Sequence, residues 1–577
     1  MQAIGGHETR AREHAMPTRE EVIERLTKEG TFELATDTSL GYPIKVYRNA
    51  PPSLRAVLEG TRAFDDRTFL IYGEETLTFK QHFDRVASLA HFLRETGVQK
   101  GDRVAIGMRN YPEWMISFWA VQAIGAIAVA INAWWTGAEI AFALEDSTPS
   151  ALLIDGERLE RLAPLLPGMR GLKTIVVARR DGQGGAGIDF AMASGRPADG
   201  LPAVEIAPND YATILYTSGT TGKPKGAVAT QRNHVTNIMN TLLGGAVARG
   251  LLGDFGPPPA NAPQAAVLQT FPFFHIGGMS GLYVGTATGA KIALMYKWDP
   301  GEAVRLVEKY KLMSVAGVPI VVRQLLESAR SSGADVSSLI GIASGGASVP
   351  PDLIRQINKQ FESKTMPGNG YGLTETTSAV ISNGGMDYFA HPDSIGRPVV
   401  TCEARIVDEN GKDVHTAEVG ELWLRGPNVI PGYWKNPEAT EAAFGGGWFR
   451  SGDLGYRDSE GLYYVVDRKK DVIIRGGENV YCAEVEAAIL EHPLVKDVAV
   501  VGLPDVEYGE QVAAVIQVAN EGAAAKLPDE LRNSLAATLA KFKIPSSYKL
   551  TEHELPRTAT GKVLKRELRE LFGKRPA

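Results

Sequence analysis

The chain has 577 residues, room for roughly three to five domain-sized units. Apolar residues make up 44% and charged residues 22%, which is the balance of a globular protein and excludes disordered and fibrous classes. Its 61 basic and 67 acidic residues leave a net charge of −6 with no long run of either sign, so nothing draws it to nucleic acid or an anionic membrane surface. The only cysteines, Cys402 and Cys482, lie outside any CxxC or metal-like spacing; a reducing cytoplasm fits and structural disulfides do not.

Residues 1–15, MQAIGGHETRAREHA, mix charges and lack the apolar core of a secretory signal, so export is not expected. Residues 1–54 read as an N-terminal extension, whose patterned part from Met16 suits either a dimer arm or a packing cap. From Leu77 to Asp155 helical and strand patterns alternate, as in an α/β fold with mainly parallel strands. Within it, Trp114 to Trp135 runs without a charge for the length of a membrane span. Gly125 splits that run into a helix-like half and a β-branched half, Asn132 would be costly in lipid, and no Lys/Arg cluster flanks it. A buried element, not a membrane span, is expected.

The α/β rhythm returns downstream in AAVLQTF, GAKIALMY, SVAGVP and LIGIASGG. The fold class is therefore α/β: a large domain over 55–469 built from two α/β layers, with a small β-rich subdomain over about 400–469 where Gly, Pro and Asn turns separate short strands. Residues 470–577 form a small mobile α+β domain of ordinary domain size.

The segment Tyr216 to Gly226, YTSGTTGKPKG, follows the strand pattern YATILY. Thr217, Ser218, Gly219, Thr220, Thr221 and Gly222 can aim backbone and side-chain donors at an anion, with Lys223 adding charge. A Walker A loop requires Ser or Thr after Gly-Lys, and Gly222-Lys223 is followed by Pro224. By itself the stretch is a phosphate binder or a plain surface loop. The cluster Gly182 to Gly187 matches a dinucleotide fingerprint in form, but Arg179, Arg180 and Asp181 separate it from its strand and no helix opens after it, so it reads as a loop.

Seven ordered motifs carry a more specific likeness: YTSGTTGKPKG at 216, FPFFH at 271, SGGA at 344, NGYGLTE at 369, WFRSGDLG at 448, VDRKKDVIIRGGENV at 466 and LPRTATGK at 555. On these the chain resembles the adenylate-forming superfamily, in its acyl-CoA synthetase and fatty-acid–CoA ligase branch, over about Val57 to Leu571. The resemblance implies ATP, Mg²⁺ and CoA as cofactors and a carboxylic acid as substrate. Tyr371 would stack on adenine and Asn369 would bond its amino edge, with Gly345, Gly346, Ala347, Gly370 and Gly372 as bare backbone around it. Thr374 would touch the α-phosphate, and Glu375 with Thr217 would hold Mg²⁺. Asp453 would take the ribose hydroxyls, with Arg468 in support.

Lys562, alone a solvated surface lysine, becomes under the resemblance the catalytic cation bridging substrate carboxylate and α-phosphate. Lys470 would be the hinge, and Gly476 with Gly477 the loop admitting the CoA thiol. The acid pocket would be built from His275, Ile276, Gly277, Gly278, Val318, Pro319, Gly345 and Gly370. These small, apolar residues favour a medium- to long-chain fatty acid, with an aryl or alicyclic acid, or transfer to a carrier protein, as alternatives. A homodimer is possible, and neither nucleic acid nor a membrane span is expected.

Overall fold

The computed structural model describes residues 17–573 except 170, 181–185, 218–223, 257, 258, 260, 348, 363, 523, 559 and 560. Two sheets organise the large domain. In the first, the strands Ile127–Ala130, Arg103–Gly107, Ala151–Asp155 and Thr174–Ala178 are parallel neighbours, extended by Tyr211–Thr217 and, antiparallel to it, Lys225–Thr230. In the second, Thr68–Tyr72, Lys291–Leu294, Ala266–Gln269, Ser314–Gly317, Gly341–Gly345 and Met366–Leu373 run parallel in that order. Strands covered on both faces can be apolar throughout, which is why IAVA and ALLID carry no polar alternation.

Between the sheets lie the helices Phe79–Glu95, Pro112–Ala123, Gln231–Gly250 and Ile276–Ala287, sharing one core with both. The helix Pro112–Ala123 is buried along nearly all its length, including Trp114, Phe118 and Trp119 at 0% exposure. A helix enclosed on every side needs no polar face. This accounts for the uncharged run 114–135, which divides into that helix and the strand Ile127–Ala130. No helix among the described residues is long and apolar enough to cross a membrane. Further helices cover the outer face of each sheet, giving five layers.

Residues 17–47 cap the large domain. Thr18 and Glu21 form a capping box that starts the helix Arg19–Thr27, and its Val22 packs where a side chain on Gly250 would sit. A hairpin of Leu34–Asp37 and Ile44–Tyr47 follows; Asp37 pairs with Arg232, Tyr47 donates to Asn240, and the Tyr42 ring fills the space beside Gly447. The β-rich subdomain has the strands Glu403–Val407, Gly420–Arg425, Trp448–Arg457 and Tyr463–Arg468. In the small domain the long antiparallel pair Val495–Asp505 and Gly509–Val518 is extended along Gly509–Val518, which pairs with the hairpin Ile473–Arg475/Glu478–Val480 at Gly509 and with Ser547–Thr551 further along.

Candidate active site

In parallel sheets, ligand crevices open at the carboxyl ends of the strands, and the motif residues gather there. The strand Gly341–Gly345 ends in Gly346, whose φ of +76° favours glycine. A side chain at Gly345 would stand 3.0 Å from the Gly370 carbonyl oxygen, so these two strand ends meet as bare backbone. Gly372 has no room for any side chain, because a Cβ would lie 1.9 Å from the Ser378 carbonyl oxygen. Asn369 pairs in register with Ser344, while Gly346 and Ala347 are exposed beside them.

Asp453 lies on Trp448–Arg457, opposite Arg468 on the neighbouring strand. Its carboxylate is buried, accepts the Tyr371 hydroxyl at 2.5 Å through Oδ2, and stands 2.8 Å from Arg468 Nε through Oδ1. That ion pair lacks hydrogen-bond alignment, leaving the buried Oδ1 with no donor among the described residues. An open carboxylate oxygen in such a place fits a ligand hydroxyl. Burial and the Asp453 carboxylate push the Tyr371 phenol well above its ordinary pKa. The Tyr371 hydroxyl is thus committed to the Asp453 carboxylate, a link that no sequence motif records.

Glu375 sits in a single turn, Thr374–Thr376, after the strand Met366–Leu373. Its Oε1 accepts the Tyr433 hydroxyl at 2.8 Å, and its backbone carbonyl accepts the Ile430 N–H. Tyr433 comes from the short strand Gly432–Tyr433, which pairs with Lys225–Thr230, and its ring stands 5.2 Å from Lys225 Nζ. Burial, then the Glu375 carboxylate, raises the Tyr433 pKa, so it remains a donor. Among the described residues no three His, Cys, Asp or Glu side chains cluster as a metal site. One carboxylate plus phosphate oxygens is a donor set suited to Mg²⁺. Thr217 closes the strand Tyr211–Thr217, its hydroxyl 3.4 Å from the Lys225 carbonyl oxygen; Ser218, Gly219, Thr220, Thr221, Gly222 and Lys223 lie outside the described residues.

Lys562 comes from the small domain. It is exposed at the rim of the cleft, yet crowded by protein, and burial together with the Arg468 charge lowers its pKa while Asp453 and Glu375 oppose that shift. The preceding Gly561 presses on Val318 of the large domain, a Cβ there falling 2.9 Å from Val318 Cγ2. His275 caps the helix Ile276–Ala287, its Nδ1 accepting the Gly277 N–H at 3.2 Å. Burial, then the Lys562 charge, lowers its pKa to about 3, so the ring is neutral and its proton is on Nε2.

Along the helix Ile276–Ala287, the partly open positions Gly277, Ser280, Gly281 and Val284 fall on one face at helical spacing. Ile276 and Gly278, expected in the acid pocket, instead face inward: Ile276 is 5% exposed in the core, and a Cβ on Gly278 would collide with the Pro272 carbonyl. The open face is polar toward its middle. Ser280 Oγ donates to Asn237 Oδ1 at 2.8 Å, as does the Tyr283 hydroxyl at 2.8 Å, and Gln269 Oε1 fills the space beside Gly281. Val318 and Pro319 begin the helix Pro319–Ser332 across from Gly561.

Lys470 is exposed in the turn between Tyr463–Arg468 and Ile473–Arg475. Gly476 and Gly477, with φ of +62° and +86°, form the exposed tip of the next hairpin and are not among the residues lining the cavity between the domains. That cavity holds about 470 Å³ and is walled by Trp134, Phe271, Tyr296 and Val318 on one side and Asp497, Arg557 and Gly561 on the other. Its Arg109 lies 4.0 Å from the Trp134 ring centroid, with Nε and Nη1 buried and lacking a hydrogen-bond partner among the described residues. Sequence reasoning does not reach Arg109, Tyr433, Ser280 or Asn237; only Tyr433 carries a signal, as the aromatic of GYW.

The AMP-binding enzyme family matches residues 58–434, and the AMP-binding enzyme C-terminal domain matches 484–562. Feruloyl-CoA synthase of Amycolatopsis sp is 35% identical over 507 residues, 88% of this chain and 96% of that one. Long-chain-fatty-acid–CoA ligase of Bacillus subtilis (strain 168) is 32% identical, covering 92% and 97%. Indoleacetate–CoA ligase of Aromatoleum aromaticum is 32% identical, covering 88% and 96%. The solved o-succinylbenzoate CoA synthetase of Bacillus subtilis, in complex with its acyl-adenylate intermediate, superposes with a TM-score of 0.74 at 29% identity, covering 90% and 98%.

Proposed function

The chain belongs to the AMP-binding enzyme family, in its adenylate-forming CoA ligase branch, and on that premise we propose that it activates an aryl or arylalkanoic acid and transfers it to coenzyme A. The enzyme is an AMP-forming acid–thiol ligase that uses ATP, Mg²⁺ and CoA. A carboxylate oxygen bonds to the α-phosphorus of ATP as the bond to pyrophosphate breaks. The CoA sulfur then bonds to the acyl carbon, AMP leaves, and the thiol proton passes to solvent.

The observation that carries the adenylating role is the convergence of Lys562, brought by the small domain, on Asp453, Arg468 and Glu375 of the large domain. Lys562 neutralises the approach of two anions, Asp453 Oδ1 accepts from a ribose hydroxyl, and Glu375 uses the oxygen that Tyr433 leaves free to hold Mg²⁺. Mg²⁺ supplies charge stabilisation on the phosphate oxygens. Tyr371 and Asn369 face the base, and the Gly345–Gly346 and Gly370 backbones admit its flat ring. The small domain then turns about Lys470 and brings Gly476 and Gly477 to the thiol.

The open face of Gly277, Ser280, Gly281 and Val284 supports the choice of acid. Two glycines leave breadth for a planar ring, and Ser280 Oγ, whose proton goes to Asn237, keeps lone pairs that can accept from a ring hydroxyl but that an alkyl chain cannot use. Relatives acting on feruloyl and indoleacetate acids point the same way, whereas the Bacillus subtilis relative keeps the fatty-acid reading in play. Pyrophosphate exchange with ferulate, indole-3-acetate, 2-succinylbenzoate and dodecanoate decides between them. An aryl acid should exceed dodecanoate in kcat/KM by at least about tenfold, the scale of one matched polar contact; the reverse order refutes the aryl assignment.

A further inference from the structure

We propose that Arg557, held by Asp497, is a positioning residue that fixes the turn bearing Lys562 and so acts on the adenylation step alone. The proposal rests on the catalytic role given to Lys562 above. The turn is closed at its base by the bridge between Arg557 and Val563. Inside it, the Thr558 N–H donates to the Lys562 carbonyl at 2.7 Å, the Gly561 N–H to the Thr558 carbonyl at 2.9 Å, and the Lys562 N–H to Thr558 Oγ1 at 3.1 Å. The Gly561 carbonyl, immediately before Lys562, takes Arg557 Nη1 at 2.6 Å.

The other arm of the same guanidinium, Nη2, bonds Asp497 on the strand Val495–Asp505. Asp497 is itself oriented, its Oδ1 accepting the Val498 N–H at 3.0 Å. A planar guanidinium with two fixed arms ties the turn to the sheet at a set angle, which a single flexible ammonium does less well. On the opposite side, Gly561 has φ +82° and no side chain, letting the turn rest on Val318. The peptide leading into Lys562 is therefore held from within the small domain by Arg557 and stopped from outside by Val318.

That placement matters because the Lys562 stem is long and freely rotating, so the ammonium reaches the reacting oxygens only if its backbone is fixed. Misplacing a reacting group by about 1 Å costs up to about a hundredfold in rate. The clamp contributes little to folding by comparison. Its two side chains are 25% and 18% exposed on the cavity wall, while Leu555 and Leu568, at 3% and 1%, anchor the flanking chain in the domain core.

The two half-reactions separate this role from a structural one. In the full-length chain, Arg557→Ala should lower the kcat of pyrophosphate exchange about ten- to a hundredfold. KM for ATP should hold within about threefold, and thioester formation from supplied acyl-adenylate and CoA should be unchanged, since no ground-state or thiol contact is touched. Arg557→Lys should recover part of the loss, and Asp497→Asn should show a smaller loss with the same selectivity. Equal losses in both half-reactions, or no loss in exchange, overturn the proposal. Lys562→Ala is the control: if it leaves exchange intact, the reading of Lys562 fails; if it abolishes exchange and Arg557→Ala does not, only the clamp fails. Should Arg557→Ala not fold, Arg557→Lys and Asp497→Asn decide the same question, compared at unchanged urea midpoints.

Discussion

Replacing Asp453 by asparagine keeps the shape of the side chain and removes one acceptor oxygen and the charge. With ATP bound, Tyr371 would lose its 2.5 Å acceptor or the ribose would lose its own, because one amide oxygen replaces two carboxylate oxygens. A hydrogen bond to a charged group contributes about 1.5–3 kcal/mol, so losing the ribose contact weakens ATP roughly 10- to 150-fold. Stability should fall less. Breaking a fully buried ion pair costs about 3–5 kcal/mol, but the Arg468 side chain is 40% exposed and water takes over its hydration. About 1–2 kcal/mol is expected for such a half-open pair. Pyrophosphate exchange at varied ATP should therefore show a raised KM, with a urea midpoint only slightly lower. An ATP KM within twofold of the parent, alongside a large stability loss, would falsify the ribose assignment and make Asp453 a structural anchor for Tyr371 and Arg468.

Tyr433→Phe leaves Glu375 Oε1 without its donor, and the apparent KM for Mg²⁺ should rise about five- to tenfold, the worth of one hydrogen bond; titrating Mn²⁺ binding in the presence of ATP by paramagnetic resonance checks it apart from turnover. Lys470→Pro should restrict the turn between the domains and slow thioester formation more than pyrophosphate exchange; equal slowing places the swing elsewhere. His82 and His234 are fully buried with pKa values lowered to about 3, so the folded state binds fewer protons than the unfolded state below pH 6.5. Stability is then full above that pH and lost as pH falls, by roughly 1.4 kcal/mol per imidazole per unit. Urea midpoints at pH 7, 6 and 5 should decline less steeply in His82→Gln than in the parent. Ser280→Ala should lower kcat/KM for a ring-hydroxylated aryl acid and leave dodecanoate unchanged, measured by exchange.

The α/β rhythm was legible because strands such as Ile127–Ala130 and Ala151–Asp155 are covered on both faces and the helix Pro112–Ala123 is enclosed, so burial is written into consecutive residues. The uncharged run 114–135 divided at Gly125 as its residues suggested, Gly125 taking φ +68°. Candidate site residues such as Asp453, within a strand, and Glu375, in the turn after one, could be named from their motifs. Their partners could not. Tyr433 reaches Glu375 from 58 positions away and Tyr371 reaches Asp453 from 82, and no local pattern records such pairings. Helix phase sorts the residues proposed for the acid slot in the same way: Ile276 and Gly278, directly after FPFFH, turn inward, whereas Ser280 and Gly281, a few positions on, turn out. A motif states which residues are near in sequence, and the 100° step of a helix states which of them share a wall.

The N-terminal cap bears on where the working unit begins. The family match starts at residue 58, yet Val22 fills the gap at Gly250, Tyr47 satisfies Asn240, and Tyr42 covers Gly447 in the β-rich subdomain. Asn240 also accepts the Thr401 hydroxyl at 2.9 Å, so one asparagine joins the cap, the helix Gln231–Gly250 and the entry to that subdomain. The same helix carries Asn237, which accepts the Ser280 and Tyr283 hydroxyls. Trimming the chain to its family match would therefore strip apolar cover from this helix and leave Asn240 with one donor fewer, so the leading residues complete the core of the large domain.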